Sequence, residues 1–179
     1  MFGNPFLTDV QTLQEPTRVH IGDGASKVGF SMQREAVLNL LNEVFATETV
    51  CVLRYQRYQF LHAGTDPDGF AGKFEAHARE EQGHADQIAR RIVELNEEPN
   101  FLRDGLVSWG LGETLQNKSF IDLVKEDMIA ECITIDNYRD IIEYLSDRDP
   151  RTHRVIAGIL TVEKQHAREM ATLLETMPA

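Results

Sequence analysis

Residues 80–91, EEQGHADQIARR, break a helical apolar stripe with a carboxylate and an imidazole three residues apart, Glu81 and His84. The stripe runs Phe74, Ala78, Glu81, Ala85, Ile88, Ile92 and Leu95, in the alternating steps of three and four that mark one buried helix face. The same interruption returns in residues 162–170, VEKQHAREM, where Glu163 and His166 sit on the stripe Ile156, Ile159, Glu163, His166, Met170, Leu173 and Met177. Burying an ionisable group costs several kcal/mol unless a partner compensates it, so a repeated Glu-x-x-His on a core face calls for a ligand.

Two further seams flank these. From about Ser31, Val37, Leu41, Val44, Glu48, Cys51, Tyr55, Tyr58 and His62 recur at helical spacing until Gly64, Pro67 and Gly69 of HAGTDPDGF stop them. Ile121, Val124, Met128, Glu131, Ile135, Tyr138, Ile142 and Leu145 form another, closed by SDRDP, as NEEPN closes the helix that carries Glu81. Residues 1–30 mix Gly, Pro, Thr and Asp without period and read as an N-terminal extension, leaving 31–179 as one bundle domain. Segment 98–118 is aperiodic and longer than the usual connection between bundle helices, which implies a crossover. The expected fold is all-α, an antiparallel four-helix bundle with a long crossover between helices 2 and 3.

The acids are in register. Glu48 and Glu81 lie 33 residues apart and Glu131 and Glu163 lie 32 apart, with midpoints inside the two expected turns. Each acid therefore stands about 24 Å from its turn at 1.5 Å per residue. No Lys or Arg occupies a seam position. Four carboxylates and two neutral imidazoles are instead balanced by two divalent cations, and residues at i and i+3 project from one helix face toward such ions. Mixed oxygen and imidazole donors suit iron or manganese, with zinc a competitor.

The ordered set Glu48, EQGH, Glu131, EKQH resembles the ferritin superfamily, and within it the bacterioferritin family most, over roughly residues 31–177. YQFLHA, GHADQIARRI and EEPNF add to the resemblance. It implies two iron ions per subunit, with Glu81 and Glu163 bridging, Glu48 and Glu131 terminal, and His84 and His166 each binding one iron. Tyr55 matches the tyrosine that ferritins place beside the site. The implied activity is ferroxidase: Fe(II) oxidation by dioxygen or peroxide, with ferric mineral stored in a homo-oligomeric shell.

Two departures from that pattern matter. Gln82 stands where bacterioferritins carry the haem-ligating Met, so haem is not expected. The sequence runs 13 residues past His166, too few for the short fifth helix of 24-subunit shells, which keeps 12-subunit and smaller assemblies open beside them. The 12-subunit starvation-protection family, however, places its iron site between subunits, whereas this chain carries a complete set.

Composition narrows the partners. A net charge of −11 disfavours nucleic acid and anionic membranes. No secretory signal is evident and no apolar run is expected to reach the roughly 20 residues of a membrane span, so the expected location is cytoplasmic. Cys51 and Cys132 suggest no disulfide framework and read as small buried residues, while His62, His77 and His153 match no ligand pattern and read as surface or inner-wall groups. The competing functions are a dimetal peroxidase or manganese-catalase-like enzyme without mineral storage, and a structural bundle without turnover.

Overall fold

The computed structural model describes residues 30–62, 70–101 and 120–176, which form helices and the short segments flanking them, with none in a strand. Helix α1 spans Phe30–His62, α2 Phe70–Glu94, α3 Phe120–Leu145 and α4 Pro150–Thr176. The extension before α1, the turn residues 63–69 and most of the expected crossover lie outside the described residues. So do Met177 and the side chain of His62.

The α1–α2 pair, from Leu38 onward, forms one compact unit, and α3 with α4 and the beginning of α1 forms another. In the first unit, Tyr55 stacks with Phe74 at 6.1 Å between ring centroids and Tyr58 meets the same ring at 5.5 Å. Contacts step backward along α2 as they advance along α1, so the two helices run antiparallel. Beyond α2 the chain ties back to α1: Asn100 N donates to Asn42 Oδ1 at 2.9 Å, and Phe101 packs edge-on to Phe45 at 5.1 Å.

The ends of the helices follow local chemistry. Asn96 adopts φ 57°, Asn96 N donates to Val93 O at 2.9 Å and Glu97 N to Ile92 O at 3.3 Å. This is the left-handed C-terminal cap of the Schellman type, in one of the few non-glycine residues that accept that conformation. At the start of α4, Asp149 Oδ1 accepts from Arg151 N and Thr152 N at 3.1 and 3.0 Å, and Pro150 occupies the first helical position. Between α3 and α4 Arg148 donates to Tyr144 O at 2.6 Å, satisfying a terminal carbonyl.

Burial follows the expected seams with two corrections. Leu95, in the turn just past α2, and Ile121, Met128 and Ile142 of α3 are half-buried, while Asp127, Ala130 and Thr134 are buried. A bundle helix buries a stripe about 100° wide rather than one line of residues, so neighbours of the seam enter the core. The second correction concerns membranes: residues Gln33–Phe60 of α1 are long and apolar enough to cross one. Two thirds of that window is buried inside the protein and it carries buried Glu43 and Glu48, which marks a core helix.

Candidate metal centre

Each helix pair builds a triad of two carboxylates and one imidazole. In the α1–α2 unit, one ligand atom from each of Glu48, Glu81 and His84 lies within 4.8 Å of the others. His84 Nδ1 stands 3.3 Å from Glu48 Oε2 and 3.3 Å from Glu81 Oε2, so both acids converge on one ring nitrogen. In the α3–α4 unit, Glu131, Glu163 and His166 meet within the same limit, with His166 Nδ1 3.6 Å from Glu163 Oε2. All six residues are at most 4% exposed.

Helical geometry explains the convergence. Glu81 and His84, like Glu163 and His166, are neighbours on one face, and the antiparallel partner helix brings its acid to the same height. In each triad the nitrogen facing the carboxylates is Nδ1, the atom that would bind a cation seated among them. Two carboxylates and a neutral imidazole sum to −2, the charge that one divalent cation cancels. Hard oxygen donors with one imidazole fit iron, manganese or zinc, so the residues present suit the expected metals.

The remaining expectations divide. Tyr55 is fully buried, seven residues beyond Glu48 on the same helix face. Cys51 is buried as expected, but Cys132 is exposed: it directly follows Glu131, and a step of one residue turns it about 100° off the buried face. His77 is not a surface histidine. It is 2% exposed and meets the Tyr55 ring edge-on at 5.2 Å. His153 is half-buried, and Gln82 is exposed with its amide donating to Asp86 Oδ1 at 2.9 Å.

Sequence reasoning missed four buried charges beside the seams, Glu43, Arg54, Arg91 and Asp127. Arg54, 6% exposed, donates to Cys51 Sγ at 3.7 Å and lies 5.5 Å from the Tyr55 ring centroid, so α1 does carry a buried cation. Asp127 is wholly buried one turn before Glu131. That four-residue step was the signal that could have found it. Among the described residues of α3 and α4 three carboxylates are buried and no Lys or Arg is. The demand for a cation is therefore greater in this pair.

A family model for the ferritin-like domain matches residues 38–179. Bacterioferritins of Mycobacterium bovis and Mycobacterium avium are 28% and 29% identical over 145 residues, covering 79% of this chain and 85% of theirs. The fold matches a Desulfovibrio desulfuricans bacterioferritin, a protein studied for its diiron site in different catalytic states, with TM-score 0.73 and 21% identity over 83% of this chain and 84% of that one. The fold is thus the all-α, ferritin-like four-helix bundle. The chain belongs to the ferritin-like family, as a bacterioferritin-like member of the ferritin superfamily.

Proposed function

We propose that this protein stores and detoxifies iron, oxidising Fe(II) with dioxygen or peroxide at a di-iron centre within each subunit. The two triads act together in this reading. Glu81 and Glu163 bridge the irons, Glu48 and Glu131 each hold one terminally, and His84 and His166 supply one imidazole apiece. Ferric product is deposited inside a cytoplasmic homo-oligomeric shell.

The observation that carries the reading is the matched pair of buried triads, each summing to −2. Two carboxylates held together on a buried face are costly, and a divalent ion seated between them offsets their repulsion and lost hydration. The bound iron supplies the one-electron and dioxygen chemistry, and the protein supplies ligation, orientation and exclusion of bulk water. The bacterioferritin relatives support iron as the metal.

The test is light scattering on the metal-free protein followed by Fe(II) titration under oxygen with ferric absorbance recorded. Uptake far beyond two irons per subunit in a 12- or 24-subunit particle is the expected result. Saturation near two irons in a small oligomer would transfer the protein to the peroxidase class.

A further inference from the structure

An offset of 83 residues lays the buried seam of α1 from Leu41 to Tyr58 on that of α3 from Val124 to Ile141, buried position on buried position. Most identities change along it: Val44 falls on Asp127, Cys51 on Thr134 and Tyr58 on Ile141. Glu48 and Glu131 keep theirs, and so do Tyr55 and Tyr138. Each tyrosine lies seven residues past its glutamate, about 10 Å along the helix toward the hairpin turn. Tyr138 is 2% exposed and Tyr55 is fully buried.

Packing alone does not ask for a tyrosine twice. Phenylalanine fills nearly the same volume without a hydroxyl that must be hydrogen-bonded in the core. What the repeated position adds is a phenol, which can lose one electron and its hydroxyl proton. Building on the ferroxidase reading, we propose that Tyr138 is a redox residue acting with its counterpart Tyr55, and that the pair completes the four-electron reduction of dioxygen.

The electrons and atoms balance. Two Fe(II) give two electrons, and the two phenols give two electrons and two protons. With two protons from solvent, one dioxygen becomes two waters, leaving two Fe(III) and two phenoxyl radicals. Two further Fe(II) reduce the radicals, and two solvent protons restore the phenols. Without the tyrosines, two Fe(II) carry dioxygen only as far as hydrogen peroxide.

The two phenols are distinguishable. His77 lies edge-on to Tyr55, whereas the position that matches His77 on α4, four residues before the glutamate, is Ile159. Two radicals in unlike surroundings should give two overlapping spectra.

The full-length protein, loaded with Fe(II) and mixed with oxygen, is freeze-quenched for electron paramagnetic resonance while oxygen uptake and peroxide are measured. The wild type is expected to consume about four Fe(II) per dioxygen, and Tyr138→Phe about two, with peroxide released and the phenoxyl spin largely lost. Site-specific 3-fluorotyrosine at position 138 keeps the ring packing and should alter the hyperfine pattern of half the spins, which covers a phenylalanine variant that folds poorly. An unchanged iron-to-oxygen ratio and spin count in Tyr138→Phe, or a fluorinated protein with the native spectrum, overturns the proposal while leaving the ferroxidase reading intact. Failure of the wild type to oxidise Fe(II) overturns that reading, and the proposal with it.

Discussion

His84 Nδ1 lies as close to Glu48 Oε2 on the neighbouring helix as to Glu81 Oε2 on its own, 3.3 Å in both cases. In the metal-free protein that nitrogen is the group the two acids share, and in the proposed holoprotein it becomes a ligand. Truncation should therefore be costly in both states. His84→Ala is expected to lower the stability of the metal-free protein by about 1–3 kcal/mol, because two buried carboxylates lose a partner. It should also weaken metal binding about 100-fold or more, some 2.7 kcal/mol. Denaturant melts with and without Fe(II) or Zn(II) under anaerobic conditions read both effects, and an unaltered metal affinity would remove His84 from the ligand set.

Glu163→Gln should move the two states in opposite directions. The α3–α4 pair buries Asp127, Glu131 and Glu163 with no buried Lys or Arg of its own among the described residues. Neutralising one acid relieves like-charge repulsion and desolvation, so the metal-free protein should gain about 1 kcal/mol, a rise of roughly 2–4 °C in Tm for a chain of this size. The wild type should gain about 2.7 kcal/mol from a metal at 100 times its dissociation constant, and the variant little of it. Calorimetry with and without chelator decides. A metal-free Glu163→Gln protein that melts below the wild type would show that the carboxylate stabilises the fold without a cation.

The bundle was legible because its signals are periodic and redundant: four stripes, breakers between them, and acids equidistant from the turns. The ligand set was legible for the same reason, since Glu and His occupy positions where an apolar residue is otherwise required. Arg54, His77 and Asp127 were not. Arg54 lies one residue off its seam and Asp127 one residue before Met128, so a line drawn at steps of three and four passes beside them. His77 falls between the seam positions Phe74 and Ala78, and the aromatic packing with Tyr55 that buries it is a tertiary fact. Cys132 errs the other way: adjacency to Glu131 in sequence means the opposite of adjacency on a helix.

The helix ends allow a control that leaves the centre untouched. Asp149→Ala removes a side chain that accepts from Arg151 N and Thr152 N, at an expected cost of about 1 kcal/mol. Asn96→Gly, at φ 57°, should be neutral or stabilising by a few tenths, because glycine enters the left-handed region without a Cβ penalty. Neither change should alter the number of irons bound per subunit. If Asp149→Ala lowered iron binding at unchanged temperature and full folding, the α4 cap would be coupled to the site.

Asp127 separates a ligand from a field. It stands one turn before Glu131, on the same buried face, yet the triad is complete without it. If it acts through its charge, Asp127→Asn should weaken divalent-metal binding by roughly tenfold, about 1.4 kcal/mol, since a neighbouring negative charge in a poorly screened interior attracts a cation without touching it. Glu131→Gln, which removes a donor oxygen's charge as well, should weaken binding far more. Charge relief should meanwhile stabilise metal-free Asp127→Asn by an amount similar to Glu163→Gln. Anaerobic calorimetric titration of both variants gives the comparison. Equal losses for Asp127→Asn and Glu131→Gln would make Asp127 a ligand, and the α3–α4 triad a tetrad.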